Sequence, residues 1–269
     1  MSGLVINIDP AIFRLGSFEF RWYSLMILIA TIAGIAILLH RGQRKGISKD
    51  NIYSLLPWVF IGGILGARLF HVLDNFKYYW DNPLLILQLQ LGGLAIWGAL
   101  VGGSIIAAIY CNARKIPFVR LLDAAVPALL VAQMIGRVGC IINGDAYGGL
   151  TNLPWAFIYT NPHAMIPAAY LGLPTHPYPV YEMVWNGIVL LGIWRLERFF
   201  KRDGMEFLAY LAFYAVGRFL LTFVRQENVW FWGMQEAQVI SIVIFLAAAT
   251  SIGYLLKKSK DATRNIVPA

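Results

Sequence analysis

Apolar runs of about 20 residues recur along the chain, beginning with "LMILIATIAGIAILL", and nothing else in the sequence restricts its folding so strongly. A run of that length crosses a hydrocarbon core of about 30 Å as a helix. In lipid every backbone N–H and C=O must be satisfied within the structure, which leaves only helices and closed barrels. The runs are too long and too continuous for alternating barrel strands. Composition agrees: 59% of the residues are hydrophobic and 13% charged, against about 25% charged in soluble domains. The expected fold is an all-α integral membrane protein, a single polytopic domain over 1–269 with seven transmembrane helices. These are placed at about 20–40, 52–73, 91–112, 118–140, 179–199, 206–225 and 236–257, with a long external segment at about 141–178. The first run lacks a basic leader and a small-residue cleavage site, so it reads as a span rather than a removed signal.

Charge sets the expected orientation. Fifteen of the 22 basic residues fall on alternate loops and the tail: Arg41, Arg44, Lys45 and Lys49; Arg114, Lys115 and Arg120; Arg195, Arg198, Lys201 and Arg202; Lys257, Lys258, Lys260 and Arg264. By the positive-inside rule those loops are cytoplasmic, which puts the N-terminus outside and the C-terminus inside. The segment from Val138 to Trp194 holds no Lys or Arg. The net charge of +8 is therefore topological, and no nucleic acid is implied. Two cysteines, Cys111 and Cys140, give neither a disulfide framework nor metal-ligand spacing, so no metal site is expected. The external segment is rich in Pro, Gly and aromatics. It suits a loop lying at headgroup level and equally a lid or substrate-docking arm.

Four arginines fall within or at the ends of the expected spans: Arg68, Arg137, Arg218 and Arg225. Given the topology, all four lie toward the outer interface, as do Tyr23, Trp97 and Glu182 from helices running the other way. Terminal arginines commonly snorkel, stem in the apolar zone and guanidinium in water, and Arg68 and Arg225 fit that description. Arg218, in "FYAVGRFLLTFVRQ", lies deeper. There an unpaired charge costs at least about 2 to 3 kcal/mol, so it needs an anion. The carboxylates at that level are Asp145 and Glu182, with Glu227 and Glu236 in the last external loop. Arginines outnumber them, and a guanidinium fork matches phosphate oxygens bidentately. A phospholipid headgroup is the abundant anion at that depth. Gly62 and Gly66, and Gly98 and Gly102, have the small-xxx-small spacing of closely packed helices. In "NGDAYGG", Asn143, Gly144, Gly148 and Gly149 mark a turn whose amides are expected to be open to phosphate oxygens.

These residues resemble the prolipoprotein diacylglyceryl transferase family, whose members move diacylglyceryl from phosphatidylglycerol to a precursor's cysteine. The likeness runs through "RWYS", "GGILGARLF", "GGLAIWGALVGG", "GRVGCIINGDAYG", "HPYPVYE", "GRFLLTFVRQ" and "GMQEAQVISI". Of the signature Gly-Arg-x-Gly-Asn-Phe-x-Asn-x-Glu-x-x-Gly, the chain keeps Gly136, Arg137, Gly139, Asn143 and Gly148. Cys140, Ile141 and Asp145 replace its Asn, Phe and Glu. Trp97 stands where the family usually has His, and Thr222 where a glutamate is common. The resemblance implies that Arg137 and Arg218 are essential contacts to the lipid phosphate, and that Tyr23 and Glu182 belong to the catalytic site. It also implies that Arg225, Asn143, Gly144, Asp145 and Gly148 help bind phosphatidylglycerol. Among Glu182, Asp145, Tyr23 and His176 as proton acceptors, Glu182 ranks first. The implied partners are phosphatidylglycerol, the signal-peptide helix of prolipoproteins and the bilayer; no soluble cofactor is implied. The implied place is the bacterial inner membrane, with the site toward its external face. A non-catalytic phospholipid or anion binder or transporter, and a transferase with another acceptor, are the alternative readings.

Overall fold

A computed structural model describes residues 3–16, 18–88, 92–225, 229–230 and 232–264, with side chains of the last helix described to residue 258. The short strands β1 (Leu4–Ile6), β2 (Ala11–Leu15) and β3 (Phe18–Arg21) lead into helix α1 (Trp22–Arg44). Then follow α2 (Lys49–Asp74), the short α3 (Phe76–Asp81), α4 (Ile96–Ala113) and α5 (Phe118–Asn143). Strands β4 (Phe157–Tyr159) and β5 (Pro174–Thr175) precede α6 (Tyr178–Leu196), α7 (Met205–Thr222) and α8 (Glu236–Arg264).

Among the described residues, six helices are long and apolar enough to cross a membrane: α1, α2, α4, α5, α7 and α8 through Lys258. They carry exposed Leu28, Ile64, Leu100, Leu220 and Leu246, the side chains a lipid solvent would cover. Helix α6 falls short because one face carries Tyr178, Glu182 and Asn186, buried at successive i,i+4 positions. The third expected helix begins later than drawn, at Ile96, and residue 91 lies outside the described residues. The sixth stops at Thr222 rather than reaching 225. Beyond it, the amides of Phe223, Val224 and Arg225 bond three residues back, to Leu220, Leu221 and Thr222, which tightens the chain into a turn.

The chain divides into two compact units, residues 39–124 and residues 1–38 with 125–269. In the first, α2 starts at an N-cap where Ser48 accepts from the Asn51 amide at 3.3 Å. It packs on α4 through the glycines whose spacing marks close approach. A Cβ on Gly102 would stand 2.9 Å from Gly66 Cα, and one on Gly98 2.8 Å from the Gly66 carbonyl carbon. The two backbones touch, as small residues permit. Arg68 does not snorkel as expected; it is 6% exposed. Its guanidinium donates to the carbonyls of Ile86 (2.8 Å), Gly92 (2.8 Å), Gly93 (3.1 Å), Gln88 (3.4 Å) and Leu85. Its Cζ also lies 5.1 Å from the centre of the Tyr79 ring. The chain after α2 folds back over the cation and supplies the oxygens that water would otherwise provide.

In the second unit, Trp22 donates to the Pro10 carbonyl, so the β2–β3 hairpin runs straight into α1. Helix α1 meets α5 closely: a Cβ on Gly139 would lie 3.1 Å from Tyr23 Cα. Val126 and Leu130 of α5, Val189 and Ile193 of α6 and Tyr210 of α7 form one buried cluster. The segment at about 141–178, expected to be external, is structured rather than a plain loop. β1 pairs parallel with β4, β4 pairs antiparallel with β5, and Phe157, Tyr159 and Ile166 bury together above the end of α5 at Ile141.

Candidate active site

Three helices bring the charges together. Tyr178 and Glu182 stand one turn apart on α6, Arg137 lies near the end of α5, and Arg218 lies on α7 one turn before its end. Glu182, 7% exposed, bridges the two arginines. Its Oε2 pairs with Arg137 Nε, and its Oε1 lies 3.3 Å from Arg218 Nη1. The Tyr178 hydroxyl donates to Oε1 at 2.9 Å and accepts from Arg218 Nη1. Arg225, in the turn beyond α7, places its Cζ 5.0 Å from the Tyr178 ring centre, and Arg218 places its own at 6.0 Å. Arg137 and Arg218 thus meet at one carboxylate, and Arg218 and Arg225 flank one phenol ring.

Local packing fixes this geometry. Gly217 leaves room for the Trp185 ring, whose Nε1 donates to the Phe213 carbonyl at 3.0 Å. The Thr222 hydroxyl donates to the Arg218 carbonyl at 2.5 Å, a bond within its own helix. Gln235 Nε2 donates to the carbonyls of Thr222 (3.2 Å) and Arg225 (3.1 Å), closing the end of α7.

A second polar group adjoins Arg137. Its Nη1 lies 3.5 Å from Cys140 Sγ, and Cys140 lies within electrostatic range of Asp145. Asn143, 4% exposed, donates through Nδ2 to Asp145 Oδ2 at 2.8 Å and to Met165 Sδ at 3.1 Å. Tyr23, 37% exposed, lies within electrostatic range of Cys140, Asp145 and Arg137.

The expectation of open amides in the 143–149 turn is corrected. Gly144 N donates to the Cys140 carbonyl (2.9 Å), Gly148 N to that of His176 (3.0 Å) and Gly149 N to that of Val224 (2.8 Å). Gly144 supplies a left-handed turn at φ 77°, and at Gly148 a Cβ would stand 2.7 Å from the Val224 carbonyl oxygen. The amides of these three glycines are engaged by carbonyls of the chain itself. His176 sets its Nδ1 3.2 Å from the Tyr181 hydroxyl, and burial pushes its pKa down, so it is neutral at pH 7. Trp97 opens α4 in the other unit, and Glu227 lies outside the described residues. Tyr178 was not singled out from the sequence. The available signal was the i,i+4 Tyr–Glu pair in "YPVYE", placed on one helix face.

The family model described as prolipoprotein diacylglyceryl transferase matches residues 10–254. A protein of Acaryochloris marina named phosphatidylglycerol–prolipoprotein diacylglyceryl transferase is 36% identical, covering 95% of this chain and 94% of its own. Proteins of the same name are 34% identical in Dehalococcoides mccartyi, over 97% of this chain and 98% of theirs, and 32% identical in Lactiplantibacillus plantarum, over 95% and 91%.

Proposed function

The chain belongs to the prolipoprotein diacylglyceryl transferase family, and on that premise we propose how its residues carry out the reaction. The enzyme transfers the diacylglyceryl group of phosphatidylglycerol to prolipoprotein. In the proposed step, the thiolate of the precursor's lipobox cysteine attacks the glyceryl carbon that bears the phosphate. A C–S thioether bond forms, the C–O bond breaks, and glycerol phosphate leaves with the electron pair. This opens lipoprotein maturation.

The single observation that carries the assignment is the bridging of Arg137 and Arg218 by Glu182. A phosphodiester offers the same pair of anionic oxygens to the two forks. On arrival it takes over the arginines, which then stabilise the charge growing on the leaving phosphate. Glu182, released from them, becomes the acceptor for the thiol proton. Arg225 and Tyr178 flank the same space, and Tyr23 approaches it from α1. Thiol activation is undemanding beside guanidinium groups, since a free thiol titrates near pH 8.5 and neighbouring cations lower that value.

Helix α6 is the seventh span in this reading, its polar stripe turned onto the arginines. In the same reading the protein spans a bacterial cytoplasmic membrane as one polytopic domain, N-terminus outside and C-terminus inside, an orientation the basic loops support. Its site faces the external side, where the signal-peptide helix of the precursor presents its cysteine. The test is purified protein in phosphatidylglycerol vesicles with a lipobox peptide, following thioether product by mass spectrometry. Product is expected; none, under conditions where a family member from another bacterium works, sinks the reading.

A further inference from the structure

Tyr178 is fully buried at the start of α6, one turn before Glu182. The chain on either side sets its backbone: Pro177 and Pro179 each fix a φ angle, and the Tyr178 amide donates to the His176 carbonyl at 2.8 Å. Its hydroxyl stands between two charged groups that dictate its orientation. An ionised carboxylate only accepts and a guanidinium only donates, so the single phenolic hydrogen goes to Glu182 Oε1, at 2.9 Å, and the phenolic oxygen receives Arg218 Nη1. Nη1 also lies 3.3 Å from the same Oε1, which closes a triangle of contacts between α6 and α7. The Tyr178 ring in turn meets Arg225, whose Cζ lies 5.0 Å from its centre. One buried side chain therefore touches the carboxylate and two of the arginines through different atoms.

We propose that Tyr178 is a positioning residue for the transfer: its hydroxyl orients Arg218 and Glu182, and its ring seats Arg225. This rests on the transferase reading. When a phosphodiester takes over the arginine forks, Glu182 gives up its ion pairs, but the bond from Tyr178 runs within α6 and needs neither arginine. It keeps the carboxylate in place to receive the thiol proton. Before the lipid arrives, the same hydroxyl holds Arg218 Nη1, so that a side chain rich in rotamers is already ordered. Misplacing a reacting group by about 1 Å costs about 100-fold in rate. The two parts of the side chain therefore have separable effects. The hydroxyl acts on kcat through Arg218 and Glu182, and the ring acts on lipid binding through Arg225.

The experiment is a pair of double-mutant cycles on the intact protein in phosphatidylglycerol nanodiscs, assayed with a lipobox peptide for kcat and for KM toward the lipid. Tyr178→Phe, which removes one oxygen and keeps the ring, is expected to lower kcat by about 10- to 100-fold while KM stays within about twofold. Tyr178→Leu, which removes the ring as well, adds a rise in KM of about three- to tenfold. In an Arg218→Lys background Tyr178→Phe costs less than about threefold further, because its partner is already displaced, whereas in an Arg225→Gln background its full effect on kcat returns. Single-turnover product formation reads any variant too slow for steady-state rates. A tyrosine that serves folding alone lowers activity by one factor in every background, and that result overturns the proposal, as does a wild-type kcat in Tyr178→Phe. Should Tyr178→Leu fail to fold, the Tyr178→Phe cycles decide. Absence of any product from wild type overturns the transferase reading instead; non-additive effects of Tyr178→Phe and Arg218→Lys on phosphatidylglycerol affinity then uphold the positioning role, and additive ones overturn it.

Discussion

Replacing Glu182 by glutamine keeps the shape of the side chain and removes its charge from between two guanidinium groups. In the wild type the carboxylate, 8% exposed, pairs with Arg137 and lies 3.3 Å from Arg218 Nη1. At an effective dielectric near 20, each such pair at about 4 Å is worth about 4 kcal/mol before desolvation. Breaking one partner of a buried pair costs about 3–5 kcal/mol net. For a chain of this size that lowers Tm by roughly 10 °C. Binding moves the other way, because the lipid phosphate no longer displaces an internal carboxylate, and KM is expected to fall by at least about tenfold. If Glu182 also accepts the thiol proton, kcat drops by about 10²–10⁴. The assay is steady-state transfer to a lipobox peptide over a range of phosphatidylglycerol mole fractions, beside thermal melts in the same detergent. Lower KM with kcat intact leaves Glu182 as a counter-ion and moves the proton elsewhere. Unchanged Tm and KM together would refute the bridging argument, since no carboxylate competing for those arginines can be removed without effect.

Three further outcomes follow from the same geometry. Arg137→Lys and Arg218→Lys each lower kcat/KM by at least about 100-fold, because a point charge cannot reproduce the fork; a rate near wild type in either, by the same transfer assay, contradicts the phosphate assignment. Gly98→Ala sets a Cβ 2.8 Å from the Gly66 carbonyl carbon and destabilises by about 1–3 kcal/mol, read as an earlier thermal transition. The Asp9 carboxyl is pulled from 3.8 to about 2, chiefly by hydrogen bonds from the Arg14 side chain and then by the Ala11 amide. A carboxylate depressed by folding contributes order that is full above its ordinary value and lost as pH falls through its folded one. Hydrogen-exchange protection in the β2–β3 hairpin should therefore hold at pH 4 and fade toward about pH 2; fading that is complete above pH 4 would exclude the Asp9–Arg14 pair as its source.

The helices were legible because lipid demands long apolar runs, and Gly62, Gly66, Gly98 and Gly102 announced their contact through spacing alone. Arg137, Arg218 and Glu182 were legible as one polar layer because topology fixes depth. What topology does not fix is the partner: Arg68, read as a snorkelling cation at a helix end, is met by carbonyls, and Arg218, read as needing an anion, is met by a carboxylate. Carbonyls are present in every sequence and mark nothing, so the loop that folds over Arg68 left no trace. The amides of Gly144, Gly148 and Gly149 were misread for a related reason. A glycine-rich turn shows that the backbone bends, whereas the acceptors that claim its amides, His176 and Val224, come from distant segments. Helix α6 was visible from its length, and its polar stripe, which depresses its hydropathy, carries half of the site.

The carbonyls that satisfy Arg68 come from residues 17 to 25 positions further along the chain. During synthesis the arginine therefore emerges before anything that can neutralise its hydrogen-bonding demand. At ribosomal rates the interval is about one to five seconds. Until then α2 relies on water or lipid headgroups to supply acceptors for the guanidinium near its end. It becomes a comfortable span only once the following chain has wrapped the guanidinium, which makes the order in which residues leave the ribosome part of how this segment settles into the bilayer.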